Sequence, residues 1–394
     1  MEMDGLFLDD ANDMNIGIVC YPTYGGSGVM ATELGIALSK KGHQVHFISY
    51  KRPARLGHYH RNIFFHEVGA LEYPLFELPP YESSLTSKIV DVAEHERLDI
   101  LHVHYAIPHA SAAYLAREIL QTKGIYLPVI TTLHGTDITL VGLDQSMSSV
   151  VEFSINKSDV VSSVSDSLRQ QTYDYFNITR SIDVIHNFID TDRFKRIPNE
   201  DFRNAFASDG EHIIVHTSNF RKVKRIDDII YTFAKLRGKV NTKLLLIGDG
   251  PERRKAEELC RQLGACNEIH FLGKQDAIEE LLSVADLFLL PSENESFGLS
   301  ALEAMACGVP VISTNIGGLP EVNINGSSGF TCDVGDTDDM AEKALQILSD
   351  PDMLESMRIN ARKKALEFDK SLITPQYEKL YLKALEKART GAFS

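Results

Sequence analysis

Between Pro291 and Pro310 the chain reads PSENESFGLSALEAMACGVP, in which seven residues separate Glu295 from Glu303. A carboxylate accepts two hydrogen bonds at once, which suits the vicinal hydroxyls of a sugar or a ribose. A helix that starts between the two carboxylates points backbone N–H groups at an anion such as a phosphate. This one stretch therefore offers partners for sugar, phosphate and ribose together. The bland alternative is a solvated helix start whose acids complement the helix dipole.

A second anion-binding feature is the glycine turn Gly25-Gly26-Ser27-Gly28 in YPTYGGSGVMATELG. Gly26 to Ala31 satisfies the G-x-G-x-x-G/A dinucleotide pattern in a strand-to-helix context, so an NADP-dependent oxidoreductase enters the comparison. NAD is disfavoured because the second strand ends Ile48-Ser49-Tyr50-Lys51-Arg52, without the acid that binds ribose hydroxyls, although Lys51 and Arg52 suit a 2′-phosphate. His134 lies in a Leu-His-Gly-Thr-Asp turn after a strand. His102 and His104 alternate along another strand with Tyr105 beyond them, but no suitably spaced carboxylate follows, and no metal site is read there. Three Asp-x-Asp triplets, Asp190–Asp192, Asp336–Asp338 and Asp350–Asp352, fall in turn-like segments and are discounted as metal–diphosphate sites.

The elements around these residues read as α/β. NIGIVCYP is a strand, VMATELGIALSKKG has helical period, and HQVHFIS is a strand again; IFFHEVG, DILHVHY, PVITTLH, DVVSSVS and IDVIHN continue the series with helices between them. After the polar segment NFIDTDRFKRIPNED the alternation restarts at HIIVHTS and runs through KLLLIGDG, EIHFLG, DLFLLPS and VPVIST. The expected domains are residues 14–187 and 188–374, two Rossmann-like doubly wound lobes with a ligand cleft between them. A charged terminal helix over 375–390, with Leu380, Tyr381, Ala384 and Leu385 on one face, either braces the first lobe or packs on its own.

Composition narrows the function classes. The 394 residues carry 40 Lys plus Arg against 55 Asp plus Glu, a formal charge of −15, which argues against nucleic acid as a partner. Residues 1–13, MEMDGLFLDDAND, read as an expression leader, and the chain stays acidic without its five acids. Five scattered cysteines without a Cys-x-x-Cys pair suggest neither a disulfide framework nor a zinc site and fit a reducing cytoplasm. No apolar run reaches the roughly 18 residues of a membrane span, so no integral membrane association is expected.

The Glu-x7-Glu string, TSNFRKVKRIDD, the GGSG turn and LHGTD together resemble the retaining GT-B glycosyltransferases of family four, and the likeness runs from about Met14 to the terminal helix. The combination YPTYGGSGVMATELG, HVHYAIPHA and TLHGTDITLVG is similar to the branch that moves N-acetylglucosamine from UDP-GlcNAc to L-malate at the start of bacillithiol biosynthesis. The resemblance implies that Glu303 binds the ribose of UDP, Glu295 the hydroxyls of the transferred sugar, and the backbone of Ser296, Phe297, Gly298 and Leu299 the sugar and diphosphate. Gly25, Gly26, Asn219 and Arg225 join the donor set. Lys224 neutralises the diphosphate without a metal or other cofactor. The family commonly has Arg where this chain has Asn219, so Arg221 or Arg225 supplies the second charge, with Arg225 preferred. His134 is placed at the reacting face of the sugar, which makes His134, Lys224, Arg225 and Glu295 the catalytic set. Ser27, Tyr105, Thr132, His134, Asn187 and Arg225 are the acceptor candidates; no Lys or Arg occurs from Gly124 to Asn156, where a phosphorylated acceptor wants cations. Three other readings stay open: a lipid or glycan acceptor at a membrane surface, the NADP oxidoreductase, and a sugar-nucleotide sensor without turnover. Assembly into a homo-oligomer is left open.

Overall fold

The computed structural model describes residues 13–57, 59–69, 80–140, 142, 144–208 and 210–390. The leader read over 1–13 lies outside the described residues except for Asp13. The chain divides into two compact units: the first takes residues up to Ser163, then Gln171–Asp183 and everything from Thr374 onward, and the second takes Val164–Gln170 and Val184–Ile373.

Unit 1 is built on seven strands: β1 (Asn15–Val19), β2 (Gln44–Ser49), β3 (Ile63–Glu67), β4 (Ile100–His104), β5 (Val129–Leu133), β6 (Val160–Ser163) and β7 (Ile182–Val184). Their order is β3-β2-β1-β4-β5-β6-β7, and β1 to β6 pair in parallel. Unit 2 repeats the plan with β8 (His212–Ser218), β9 (Thr242–Gly248), β10 (Ile269–Gly273), β11 (Leu287–Leu290), β12 (Val311–Thr314) and β13 (Gly329–Cys332), in the order β10-β9-β8-β11-β12-β13. Parallel neighbours cannot be joined by tight turns, so each crossover is long and lays a helix on a sheet face. Both faces of the central strands are then covered, which is why ILHVH, LFLL and VIST are wholly buried.

In each sheet the winding reverses at the first strand: β1 lies between β2 and β4, and β8 between β9 and β11. The loops that leave the carboxyl ends of β1 and β4, and of β8 and β11, diverge to opposite sides there and leave a crevice in each unit.

The stretch 351–366, which shows no strand pattern, forms the helix Pro351–Leu366, started by Asp350, whose carboxylate accepts from the Asp352 and Met353 amides, each at 3.0 Å. Asp336 caps the helix Thr337–Ser349 through the Asp339 amide, and Asp190 accepts from the Asp192 and Arg193 amides. The leading acid of each Asp-x-Asp triplet therefore holds a turn or a helix start. A membrane-surface acceptor would call for a basic amphipathic face; the basic stretch Leu38–His43 spans the end of the helix Gly26–Lys40 and the turn after it, and among the described residues of 50–61, the other basic stretch, there is no helix. No helix of the described residues is long and apolar enough to cross a membrane.

The last helix, Lys370–Thr390, begins in unit 2 and continues in unit 1. Within unit 1 the Tyr381 ring is fully buried and its hydroxyl lies 2.9 Å from Nδ1 of His102 on β4. Glu378 pairs with His43 and Lys41, and Lys383 with Asp183 at 2.6 Å. Tyr381→Ala is expected to destabilise unit 1 by about 3–5 kcal/mol, as loss of a large buried aromatic does. Tyr381→Phe, which strips only the partner of a buried imidazole, should cost about 1–3 kcal/mol. Urea midpoints of the two variants measure the difference, and equal losses would mean that the ring does not pack as described.

Candidate active site

The crevice of unit 2 is lined by two loops that are tied to each other. The chain leaves β8, passes Asn219, makes a 3-10 turn over Lys222–Lys224 and enters the helix Ile226–Leu236. After β11 it runs through 291–298 into the helix Leu299–Ala306. The Glu293 amide donates to the Val223 carbonyl at 2.9 Å, which fixes one loop against the other. Lys224 Nζ reaches Glu295 Oε2 at 2.5 Å, and the Ser292 hydroxyl stands 3.4 Å from the same oxygen. A partly buried ammonium and a partly buried carboxylate thus face each other at the switch point.

Arg225 adopts φ 50°, ψ 51° at the helix start, and its guanidinium is held by Asp228 at 2.6 Å and Glu293 at 3.5 Å. The Asp228 bond comes first among the causes that hold its pKa above the usual value. Arg221 and Asn219 are exposed, whereas Glu303, in the helix Leu299–Ala306, is buried just past its first turn. The Phe297 ring packs on Phe368 and His186, with centroids 5.6 and 5.8 Å away, so only its backbone is available to a ligand.

Sequence reasoning missed the loop that seats this one. The Gly318 amide donates to the Glu295 carbonyl at 3.0 Å, and a Cβ on Gly317 or Gly318 would come within 2.0 Å of the Glu295 carbonyl oxygen or 2.3 Å of that of Ser296. No other residue permits that approach. The paired glycines before Leu-Pro-Glu were the available signal. Three positions after Gly318 the helix Leu319–Val322 carries Glu321, which accepts from the Asp166 and Ser167 amides and from His186 Nε2.

In unit 1 the loop after β1 leads through Gly25 into the helix Gly26–Lys40. A Cβ on Gly28 would stand 2.4 Å from the Tyr21 carbonyl oxygen and 2.5 Å from that of Thr23, so the loop closes on its own helix only with glycine there. The Ser27 hydroxyl is 2.9 Å from that of Tyr105, the residue that follows β4 and takes φ 96°. Tyr105 also faces His134, ring to ring at 5.5 Å. Nε2 of His134 lies 2.8 Å from Nδ1 of His104, which sets the plane of the ring.

Asp137 ties this corner together and was not singled out from the sequence. Its carboxylate accepts from the amides of Ala106 at 2.9 Å, Gly135 at 3.0 Å and His134 at 3.3 Å, joining the loops after β4 and β5. Burial pushes this carboxyl up from its ordinary value, and the three amides oppose the shift.

The candidates fall into three groups. Ser27, Tyr105 and His134 converge in unit 1, and Lys224, Arg225 and Glu295 share the joined loops of unit 2. Thr132 is interior, its hydroxyl 2.7 Å from both His102 Nε2 and Ser162 Oγ, so the structure does not bring it to the surface. Asn187 is buried in unit 2, and its Oδ1 has no hydrogen-bond partner among the described residues.

Two doubly wound parallel sheets, each with polar loops gathered at its switch point, are the GT-B architecture. The family description "Glycosyltransferase Family 4" matches residues 24–193 and "Glycosyl transferases group 1" matches residues 198–364. The chain belongs to these glycosyltransferases and is a sugar-transferring enzyme. It is 47% identical over 380 residues to N-acetyl-alpha-D-glucosaminyl L-malate synthase of Bacillus anthracis, covering 96% of this chain and 99% of that protein. Among solved structures, Anabaena Alr3699/HepE in complex with UDP and glucose has TM-score 0.80 at 20% identity, covering 93% of this chain and 98% of the other. Sucrose-phosphate synthase from Thermosynechococcus elongatus has TM-score 0.79 at 20% identity over 94% and 98%. These two share the fold.

Burial, reinforced by neighbouring imidazoles at His102 and His134, lowers four histidines of unit 1: His102 and His134 to about 3, His109 to about 4, and His104 well below the ordinary 6.5. They are neutral in the fold, so His134 accepts or donates hydrogen bonds as an uncharged ring. Between pH 6.5 and these lowered values the unfolded chain binds more protons than the folded one, and stability is lost as pH falls through that window. The Tm is therefore expected to drop between pH 7.5 and pH 5, above the range in which paired carboxylates titrate. A flat Tm over this interval would show that the rings are already protonated in the fold.

Proposed function

We propose that the chain transfers N-acetylglucosamine from UDP-GlcNAc to L-malate, in the cytoplasm, with retention at the anomeric carbon and without a divalent metal, the reaction that opens bacillithiol biosynthesis. The observation that carries the choice of substrates is the 47% identity to the malate synthase across nearly the full length of both chains. The lack of Lys and Arg from Gly124 to Asn156 supports it, since malate offers carboxylates for hydrogen-bond donors and needs no phosphate clamp.

In this reading unit 2 holds the donor. Glu303 accepts the ribose hydroxyls, and the amides at the start of the helix Leu299–Ala306 face the diphosphate. Lys224 turns from Glu295 to the departing diphosphate and neutralises the charge that develops as the glycosidic bond breaks, as an oxyanion hole does. Glu295, released from Lys224, accepts the sugar hydroxyls. Arg225, held by Asp228 and Glu293, adds a second cation. Unit 1 supplies the amides of the glycine turn, with Ser27 and Tyr105, to the malate carboxylates, and the neutral His134 to a sugar hydroxyl. Glu295 and Glu303 act as hydrogen-bond acceptors and not as the acid and nucleophile of a glycosidase.

The decisive assay is UDP release from UDP-GlcNAc with and without L-malate in EDTA, with the product analysed by mass and anomeric proton coupling. Malate-dependent release with an α-linked product is the expected result; donor binding without product would move the acceptor to a lipid or glycan. Glu303→Ala should weaken UDP binding by about 1–3 kcal/mol. Lys224→Met should lower kcat by about 10²–10³-fold. His134→Ala should act mainly on turnover, and small equal effects of all three in folded protein would count against this site.

A further inference from the structure

At the edge of the unit 1 sheet, β2 and β3 place His46 and His66 on one face. The register sets His46 opposite Phe64 and Ile48 opposite His66, so the two imidazoles are diagonal neighbours. Nδ1 of His46 is 3.0 Å from Nε2 of His66, and the rings are nearly parallel, 23° apart at 5.3 Å. Phe64 stacks on His46 at 4.9 Å and 16°, which fixes its plane. Glu96, the residue that ends the helix Tyr81–His95, comes to the same place from the sheet face. One ligand atom from each of His46, His66 and Glu96 lies within 4.8 Å of the other two. His46 is almost completely buried, and its Nε2 has no hydrogen-bond partner among the described residues.

We propose that His46, His66 and Glu96 bind one divalent transition-metal cation of the zinc class, at a site separate from the transfer chemistry. Two imidazoles and a carboxylate are a donor set that zinc accepts, with a fourth position left for water. Ring nitrogens about 2.0–2.1 Å from a tetrahedral zinc are about 3.3–3.4 Å apart, so the observed pair has only to open by a few tenths of an ångström. The long, exposed Glu96 side chain closes the third side. Lys88, whose charge acts on His66, is engaged by Asp91 at 3.0 Å, and His95 lies 3.1 Å from the same Asp91, so among the described residues these nearby positive groups are paired. The cluster sits on β2 and β3, with β1 and β4 intervening before the β5 loop that carries His134. Its effect is to clip an edge strand, its neighbour and a helix end together.

The test uses the whole protein without an affinity tag, stripped by chelator and titrated with Zn²⁺ and with Co²⁺. One equivalent of Zn²⁺ should bind, Co²⁺ should give visible d–d absorption, and Tm should rise, while UDP release in chelator is unchanged. Glu96→Gln and His66→Ala alter residues with solvent access and should leave the circular dichroism intact. Each should weaken Zn²⁺ binding by more than the about tenfold that loss of an outer-shell partner costs. Absence of stoichiometric binding, or Zn²⁺ affinity unchanged in both variants, would overturn the proposal and leave His46 and His66 as a hydrogen-bonded pair.

Discussion

The reversal of strand order at β1 and at β8 is the constraint on which the site depends. A parallel sheet wound outward in both directions from one strand leaves adjacent loops with nothing laid across them at that strand's carboxyl end. The glycine turn and Tyr105 occupy that position in unit 1, and Lys224 and Glu295 in unit 2. Elsewhere each crossover helix covers the strands it joins, and a charged pair such as Lys224 with Glu295 would be out of reach of solvent and ligand.

A polar column runs through the interior of unit 1 behind those loops. Tyr381, His102, Thr132 and Ser162 are joined by bonds of 2.9, 2.7 and 2.7 Å, with His104 stacked on His102 and bonded to His134. Pairing of buried polar groups fixes the rings in place, although Nε2 of His104 has no hydrogen-bond partner among the described residues. His134 therefore receives its orientation from a partner that is itself buried. Asp137 does the same for the backbone on either side, through three amides from two loops.

Much of this was legible in the sequence, for identifiable reasons. Buried parallel strands announce themselves as short apolar runs, and the Glu-x7-Glu string drew attention to the loop after β11 because carboxylates flanking a helix start are seldom needed for packing. Thr132 looked like a strand-end residue free to meet a ligand, but its hydroxyl is spent on His102, a contact 30 positions away that no local pattern encodes. Gly317 and Gly318 were hidden for a similar reason: what they accommodate is the backbone of residues 295 and 296, a proximity created only when β11 and β12 pair. The helix Pro351–Leu366 carried its signal in Asp350-Pro351, read as a turn and in fact a cap followed by a first-turn proline.

The terminal helix has a bearing on how the protein is made. Unit 1 contains the stretch up to Ser163, which leaves a ribosome before unit 2, yet Tyr377, Tyr381 and Ala384 in its interior follow unit 2 in the chain. Domains that are contiguous in sequence can close as they emerge. Here the early half must wait, with His102 facing an unfilled slot, while all of unit 2 is translated, so the amino-terminal unit is finished only when its final helix arrives.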